Sequence, residues 1–181
     1  MIKAAFCDDD LSVLNELHVL MDNYRVERNQ EITYTAFHSP LELIAQIEKG
    51  MRFDILFLDV LMPGVNGIET AQEIREYDSA MKIIFLTSSA EYAVESYTVN
   101  AYFYQLKPIW PESFYRLMDS VLKECAQEQR RSLILRCKSG ITQISLDRLM
   151  YCEVQGRTLV FHMQNDELLE SVGSMDDLSG Q

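Results

Sequence analysis

The chain has no C-x-x-C pair and no Cys/His group at metal-ligand spacing. Its four cysteines, Cys7, Cys125, Cys137 and Cys152, are scattered, which argues against a disulfide scaffold or zinc site and marks them as reduced packing residues. No apolar run approaches the length of a membrane span, and the short run Ile2 to Cys7 leads straight into acids, unlike a secretory leader. A cytoplasmic location without membrane partners follows as the expectation. Positive charge is also scarce, with 16 Lys+Arg against 28 Asp+Glu over 181 residues. What remains is an apolar fraction of 48%, ample for packed cores and enough chain for one full domain and part of another.

Polar residues stand at the ends of the apolar runs. Phe53-Asp-Ile-Leu-Phe-Leu58 closes on Asp59, followed at once by Val60-Leu-Met-Pro-Gly64 and Asn66-Gly67. A carboxylate at the carboxyl end of a buried strand, before a Pro/Gly turn, lies where open α/β sheets place their ligands. Ile2 to Cys7 ends in Asp8-Asp9-Asp10, three acids that repel one another unless a cation sits among them. Hard oxygen ligands suit Mg²⁺, with Mn²⁺ as a substitute. Asp10, as the third acid, is expected to cap the following helix. Lys82-Ile-Ile-Phe-Leu-Thr87 ends in a hydroxyl, and Ala101-Tyr-Phe-Tyr-Gln-Leu106 ends in Lys107-Pro108. A metal and a lysine that neutralise phosphoryl charge, with a hydroxyl that donates to it, are what acyl-phosphate chemistry on an aspartate needs.

From Met1 to about Lys123 this ordered set resembles the receiver domain of two-component response regulators. The resemblance makes Asp59 the phosphoacceptor and, with Lys107, the pair that carries phosphoryl uptake. It assigns Asp8, Asp9, Asp59 and the main-chain carbonyl of Leu61 to the metal. Thr87 becomes the switch hydroxyl, Lys107 the phosphate-pairing cation, and Tyr104 the aromatic that follows Thr87 and remodels a partner-binding face. It further implies phosphorylation by a cognate sensor histidine kinase and a phosphorylation-dependent homodimer. Leu61 and Ser89 flank the site and are expected to set the dephosphorylation rate.

Periodicity supports the same architecture. Leu11, Leu14, Leu17, Leu20 or Met21 and Tyr24 recur at helical spacing, and Glu31 to Phe37 reads as a strand before a helix capped by Ser39-Pro40 and closed by Gly50. Further helices are predicted from about Gly67 to Tyr77, Glu91 to Val99, and Pro111 to Gln129. Five βα units imply a doubly wound five-stranded parallel sheet, and the receiver resemblance implies the flavodoxin-like order 2-1-3-4-5, with Asp8, Asp9, Asp59, Thr87 and Lys107 expected to converge at its switch point. His18 and His38 read as surface or packing residues.

Residues 1–125 are thus expected to form the receiver and 126–131 a linker or helix end. From Ser132 the pattern changes to short strands: Leu133 to Cys137, Gly140 to Ser145, Leu149 to Val154 and Thr158 to His162, with turns at Ser139-Gly140, Gln155-Gly156 and Asn165-Asp166. Leu149-Met-Tyr-Cys-Glu153 and Gly156-Arg157 resemble the start of a LytTR-type DNA-binding domain. The resemblance covers about half such a domain, from Ser132 to Leu178, where Met175-Asp-Asp-Leu178 begins a predicted helix. A partial antiparallel β domain with unpaired edges is expected to be disordered, rearranged or paired with a neighbouring chain.

Residues 1–125 carry 10 Lys+Arg against 20 Asp+Glu and residues 126–181 carry 6 against 8. Phosphate contacts supply most nonspecific DNA affinity, so DNA is a partner only if the C-terminal domain is complete. Arg136, Lys138, Arg148 and Arg157 read as a solvated face, and no DNA-contacting residue is named. The leading reading is the N-terminal portion of a phosphorylation-activated transcription regulator. A phospho-switched interaction module without DNA binding stays open. An aspartyl-phosphate hydrolase fits less well, because the position of its general acid, two residues after the nucleophile, holds Leu61.

Overall fold

Alternation along β1 (Ile2–Cys7) decides how the first half of the chain is layered. Ala4 and Phe6 face one side and Ala5 and Cys7 the other, all at 1% exposure or less, since successive strand side chains point to opposite faces. A strand buried on both sides needs helices on both sides. The structure, a computed structural model, describes residues 1–130, 132–137, 140–164 and 168–172. It divides into two compact units, Met1–Val121 and Leu122–Gln181, the division falling within one helix.

In the first unit, α1 (Leu11–Arg28), β2 (Ile32–Phe37), α2 (Pro40–Glu48) and β3 (Ile55–Leu58) follow β1. A small antiparallel ladder of β4 (Leu61–Met62) and β5 (Val65–Asn66) leads into α3 (Gly67–Tyr77). Next come β6 (Lys82–Thr87), two short 3₁₀ turns at Glu91–Ala93 and Glu95–Val99, β7 (Phe103–Leu106) and α4 (Pro111–Arg130). The main sheet runs β2-β1-β3-β6-β7, all parallel. Counted without the two-residue ladder, this is the predicted 2-1-3-4-5 order.

On the Ala5/Cys7 side, Leu43, Ile44 and Ile47 of α2 and Ile68, Ala71 and Ile74 of α3 pack with Leu56, Leu58, Ile83 and Phe85. On the Phe6 side, Phe57 meets Phe6 edge-on at 5.5 Å and stacks on Phe114 of α4 at 5.6 Å, while Tyr24 of α1 meets Phe114 at 6.3 Å. Fully buried rings such as these contribute about 2–3 kcal/mol each relative to exposure. His18 belongs to this aromatic layer, its ring 5.9 Å from Phe6 and 5.2 Å from Tyr34. The helix expected from Glu91 to Val99 is instead the pair of 3₁₀ turns, and α4 continues as helix through 126–130.

None of the four cysteines is in a disulfide, and Cys7 and Cys125 are buried. Burial first, and then the negative charge of Asp8, push the Cys7 thiol up to about 12. At pH 8 a thiol reagent is therefore expected to leave Cys7 unmodified in folded protein and to label it after denaturation. Fast labelling of Cys7 in the native state would contradict this burial.

In the second unit, β8 (Ser132–Cys137), β9 (Gly140–Ser145), β10 (Leu149–Gln155), β11 (Thr158–Met163) and β12 (Leu168–Val172) form one antiparallel sheet of order β10-β11-β12-β8-β9. Leu135, Ile144, Leu159, Phe161 and Met163 form its small core. Among the described residues, inward side chains from all five short strands pack on or against this core. Lys138, the turn at Asn165-Asp166 and the helix start at Met175 to Leu178 lie outside the described residues. Among the described residues, no helix is long and apolar enough to cross a membrane.

Candidate functional site

Parallel pairing carries four polar residues to one end of the sheet. Asp8 follows β1, Asp59 follows β3, Thr87 ends β6 and Lys107 follows β7, and these strands are neighbours in that order. Main-chain bonds extend the register past the strand ends: Asp59 N donates to Cys7 O at 3.0 Å and Lys107 N to Thr87 O at 2.9 Å. Between β1 and β3 the chain leaves in opposite directions, which opens the crevice such sheets use for ligands.

Lys107 organises the centre. Its Nζ donates to Asp8 Oδ2 at 2.7 Å and to Asp59 Oδ2 at 2.8 Å, with 19% of its side chain exposed against 3% and 7% for the two acids. Burial by itself would lower the ammonium pKa, but the hydrogen bonds and charges of Asp59 and Asp8 outweigh it and raise it. Asp8 moves up as well, because for this more deeply enclosed carboxylate burial outweighs the pull of Lys107. The second oxygens are held by the backbone. Asp59 Oδ1 accepts from Val60 N at 2.7 Å and from Leu61 N at 3.3 Å, and Asp8 Oδ1 from Asp10 N at 3.0 Å. Asp10 leaves the site and caps α1, accepting from Ser12 N at 2.8 Å.

Asp9 is exposed, yet it offers an oxygen that lies with one each from Asp8 and Asp59 within 4.8 Å of one another. Three carboxylates facing one ammonium leave an excess of negative charge, and an all-oxygen set beside solvent fits a hard divalent cation with room for water ligands. Leu61 sits in the β4 ladder opposite Asn66.

Thr87 is fully buried, and its Oγ1 accepts from Ser89 N at 3.4 Å. Tyr104 is one remove away, its hydroxyl donating to Ser89 O at 2.6 Å while its ring lies 6.0 Å from Phe85. Burial raises its phenol pKa, and the nearby Asp59 charge acts in the same direction. Thr87 and Tyr104 are thus joined through one residue, Ser89.

At Gly67 the sequence pattern marked a turn and the start of a helix, but no close contact. A Cβ there would lie 2.0 Å from Asp59 O and 2.8 Å from Val60 Cα, and Gly67 N donates to Val60 O at 2.9 Å. The first turn of α3 therefore touches the backbone that carries Asp59. The Asn66-Gly67 pair after a strand-end acid was the available signal, but the contact that demands glycine is long-range in φ/ψ terms and invisible in the pattern.

Residues 5–119 match the family described as "Response regulator receiver domain". "Sensory transduction protein LytT" of Oceanobacillus iheyensis is 30% identical over 132 residues, covering 69% of this chain and 54% of that protein. "Transcriptional regulatory protein NatR" of Bacillus subtilis is 24% identical, covering 99% of this chain and 75% of that protein. The crystal structure of the response regulatory domain of protein mrkE from Klebsiella pneumoniae superposes with a TM-score of 0.62 at 23% identity, over 70% of this chain and 99% of that one, and shows a shared fold. The chain spans about half the length of the LytT relative.

Proposed function

The chain belongs to the response regulator receiver family, and from that premise we propose that it is switched by phosphorylation of Asp59 by a sensor histidine kinase. The observation that carries this reading is the Lys107 ammonium bridging Asp8 and Asp59 at 2.7 and 2.8 Å, beside acids disposed for a cation. Asp59 Oδ1 is held by two main-chain N–H groups, whereas Oδ2 accepts from a side chain, Lys107, that can turn away, so Oδ2 is the oxygen that attacks phosphorus. A P–O bond forms, the P–N bond of the donor phosphohistidine breaks, and the electron pair leaves on the imidazole. Lys107 is already within reach and turns from the carboxylate to a phosphoryl oxygen, offsetting charge as it develops. Mg²⁺, or Mn²⁺ in its place, held by Asp8, Asp9, Asp59 and the Leu61 carbonyl, would supply further neutralisation of the phosphoryl oxygens.

The output follows from the Ser89 link. A phosphoryl group that draws the Thr87 hydroxyl toward it competes with the Ser89 contact, and Tyr104 is released or rearranged in turn. A phosphorylation-dependent homodimer is the proposed consequence. The NatR relative is named as a transcriptional regulator, which supports a LytTR-type DNA-binding output for a chain carrying the complete C-terminal domain. One event per switch is signalling, and Leu61 in place of a general acid argues against turnover of a phosphoester.

The test is intact mass after incubation with acetyl phosphate and Mg²⁺. Wild type is expected to gain about 80 Da, one phosphoryl group, while Asp59→Asn and metal-free wild type gain none. An adduct on Asp59→Asn would move the acceptor elsewhere. Neither an adduct nor binding of a stable phosphoryl mimic to wild type would leave a receiver fold without its chemistry.

A further inference from the structure

Arg75 lies in the last turn of α3 and spends its guanidinium on main-chain carbonyls. Nε donates to Val99 O at 2.8 Å and Nη2 to Asn100 O at 3.2 Å, while Nη1 donates to Met81 O at 2.8 Å and to Asp78 O at 3.1 Å. Four carbonyls from two separate stretches converge on one planar fork. Burial lowers its pKa, against the opposing charge of Asp78. A surface arginine with an acidic partner would be an ordinary ion pair, but a half-buried one satisfied by backbone fixes chain geometry.

The carbonyls on its far side belong to the segment that starts at Ser89 and ends at Asn100. At its first end Tyr104 holds Ser89 O. At its last end the chain turns through Asn100 at φ 49°, with Asn100 N donating to Tyr97 O at 3.1 Å and Ala101 N to Ser96 O at 3.2 Å. Side-chain donors therefore hold the segment at both ends. The two are unequal: one is a single hydroxyl beside the Thr87 switch, the other a multidentate cation remote from it. α3 itself begins at Gly67, against the Asp59 backbone.

We propose that Arg75 is a positioning residue that anchors the Val99–Asn100 end of this segment, so that phosphorylation moves the Ser89 end about a fixed point. The inference rests on the switching role proposed above for Thr87 and Tyr104. Without the anchor, both ends move, and the segment samples the rearranged state before any phosphoryl group arrives. Lysine keeps the charge and the stem but brings one nitrogen where the fork brings three.

Hydrogen exchange of the full chain tests this in two arms. In resting protein, Arg75→Lys is expected to speed exchange of the Tyr97, Asn100 and Ala101 amides about tenfold while amides of β1 and β3 are unchanged. A rise below about threefold at those three amides overturns the anchor. In the second arm a beryllofluoride phosphoryl mimic is added. Wild type is expected to change at Ser89 to Ser96 and to stay protected at Asn100 and Ala101, whereas Arg75→Lys changes at both ends. Equal responses of the two proteins overturn the fixed-point role even where the first arm succeeds. If wild type ignores the mimic, the phosphorylation reading fails and the resting arm still decides the anchor. Arg75→Gln, read by the same three amides, serves if Arg75→Lys loses the β1 and β3 protection.

Discussion

Lys107→Met should destabilise the protein by about 3 kcal/mol at pH 7 in metal-free buffer, read as a lower urea midpoint with unchanged slope. The substitution keeps an apolar stem and removes one charge, leaving the buried Asp8 and Asp59, with side chains 3% and 7% exposed, without their shared counterion. Removing a buried partner costs more than the pair contributes, because the abandoned charges stay desolvated and repel each other. Asp59→Asn removes a charge from the same cluster, leaves Lys107 paired with Asp8, and is expected to cost under about 1 kcal/mol.

The pH dependence has a definite sign. Asp8 already sits above its usual range, burial being the main cause. Loss of the ammonium raises it further in the folded state. A group whose folded pKa exceeds its unfolded value stabilises below the unfolded pKa, and that contribution is lost as pH rises through the folded one. The deficit of Lys107→Met is therefore expected to shrink as pH falls toward about 4. Equal urea midpoints for Lys107→Met and wild type at pH 7 would show that the Lys107 contacts hold nothing.

Gly67→Ala is the second large effect. Its Cβ would enter the space of Asp59 O at 2.0 Å, and both the obstructing atoms and the nearby Val60 Cα are backbone. No side chain can swing aside, so either the Asp59 loop or the start of α3 must shift. A cost of about 2–3 kcal/mol in urea unfolding is expected. Because the displaced backbone carries the acceptor, phosphoryl uptake from acetyl phosphate is expected to slow by about tenfold or more, in keeping with the sensitivity of reactions to misplacement of about 1 Å. Stability and uptake rate both at wild-type values would refute the close approach.

Much of the site was legible because each residue in it ends a strand. Asp8, Asp59, Thr87 and Lys107 close runs of apolar residues, and a run followed by a turn is a local signal that needs no knowledge of the fold. The doubly wound architecture followed from repeated strand-then-helix spacing, while the strand order came from the receiver resemblance. Asp10 as an N-cap was readable for the same reason, its bond reaching only to Ser12. The missed elements are those whose stability comes from distant partners. Leu168–Val172 carries Glu170 and Ser171 within five residues and shows weak strand character, yet it pairs along β11 and meets β8 at Cys137. The β4 and β5 ladder is too short to leave a period, and Glu91–Val99 has helical composition but forms two 3₁₀ turns.

By itself the sequence determined which side chains of this protein can carry charge, hydroxyl and metal chemistry, and in what order they end their strands. Only the tertiary structure decided that one ammonium spans Asp8 and Asp59, that Gly67 has no room for a methyl group, and that Arg75 reaches 24 and 25 residues along the chain to Val99 and Asn100. The division has one physical cause. Strand ends and caps are set by dihedrals and hydrophobic period within a few residues, whereas a distance between side chains far apart in sequence exists only once the sheet has chosen its neighbours.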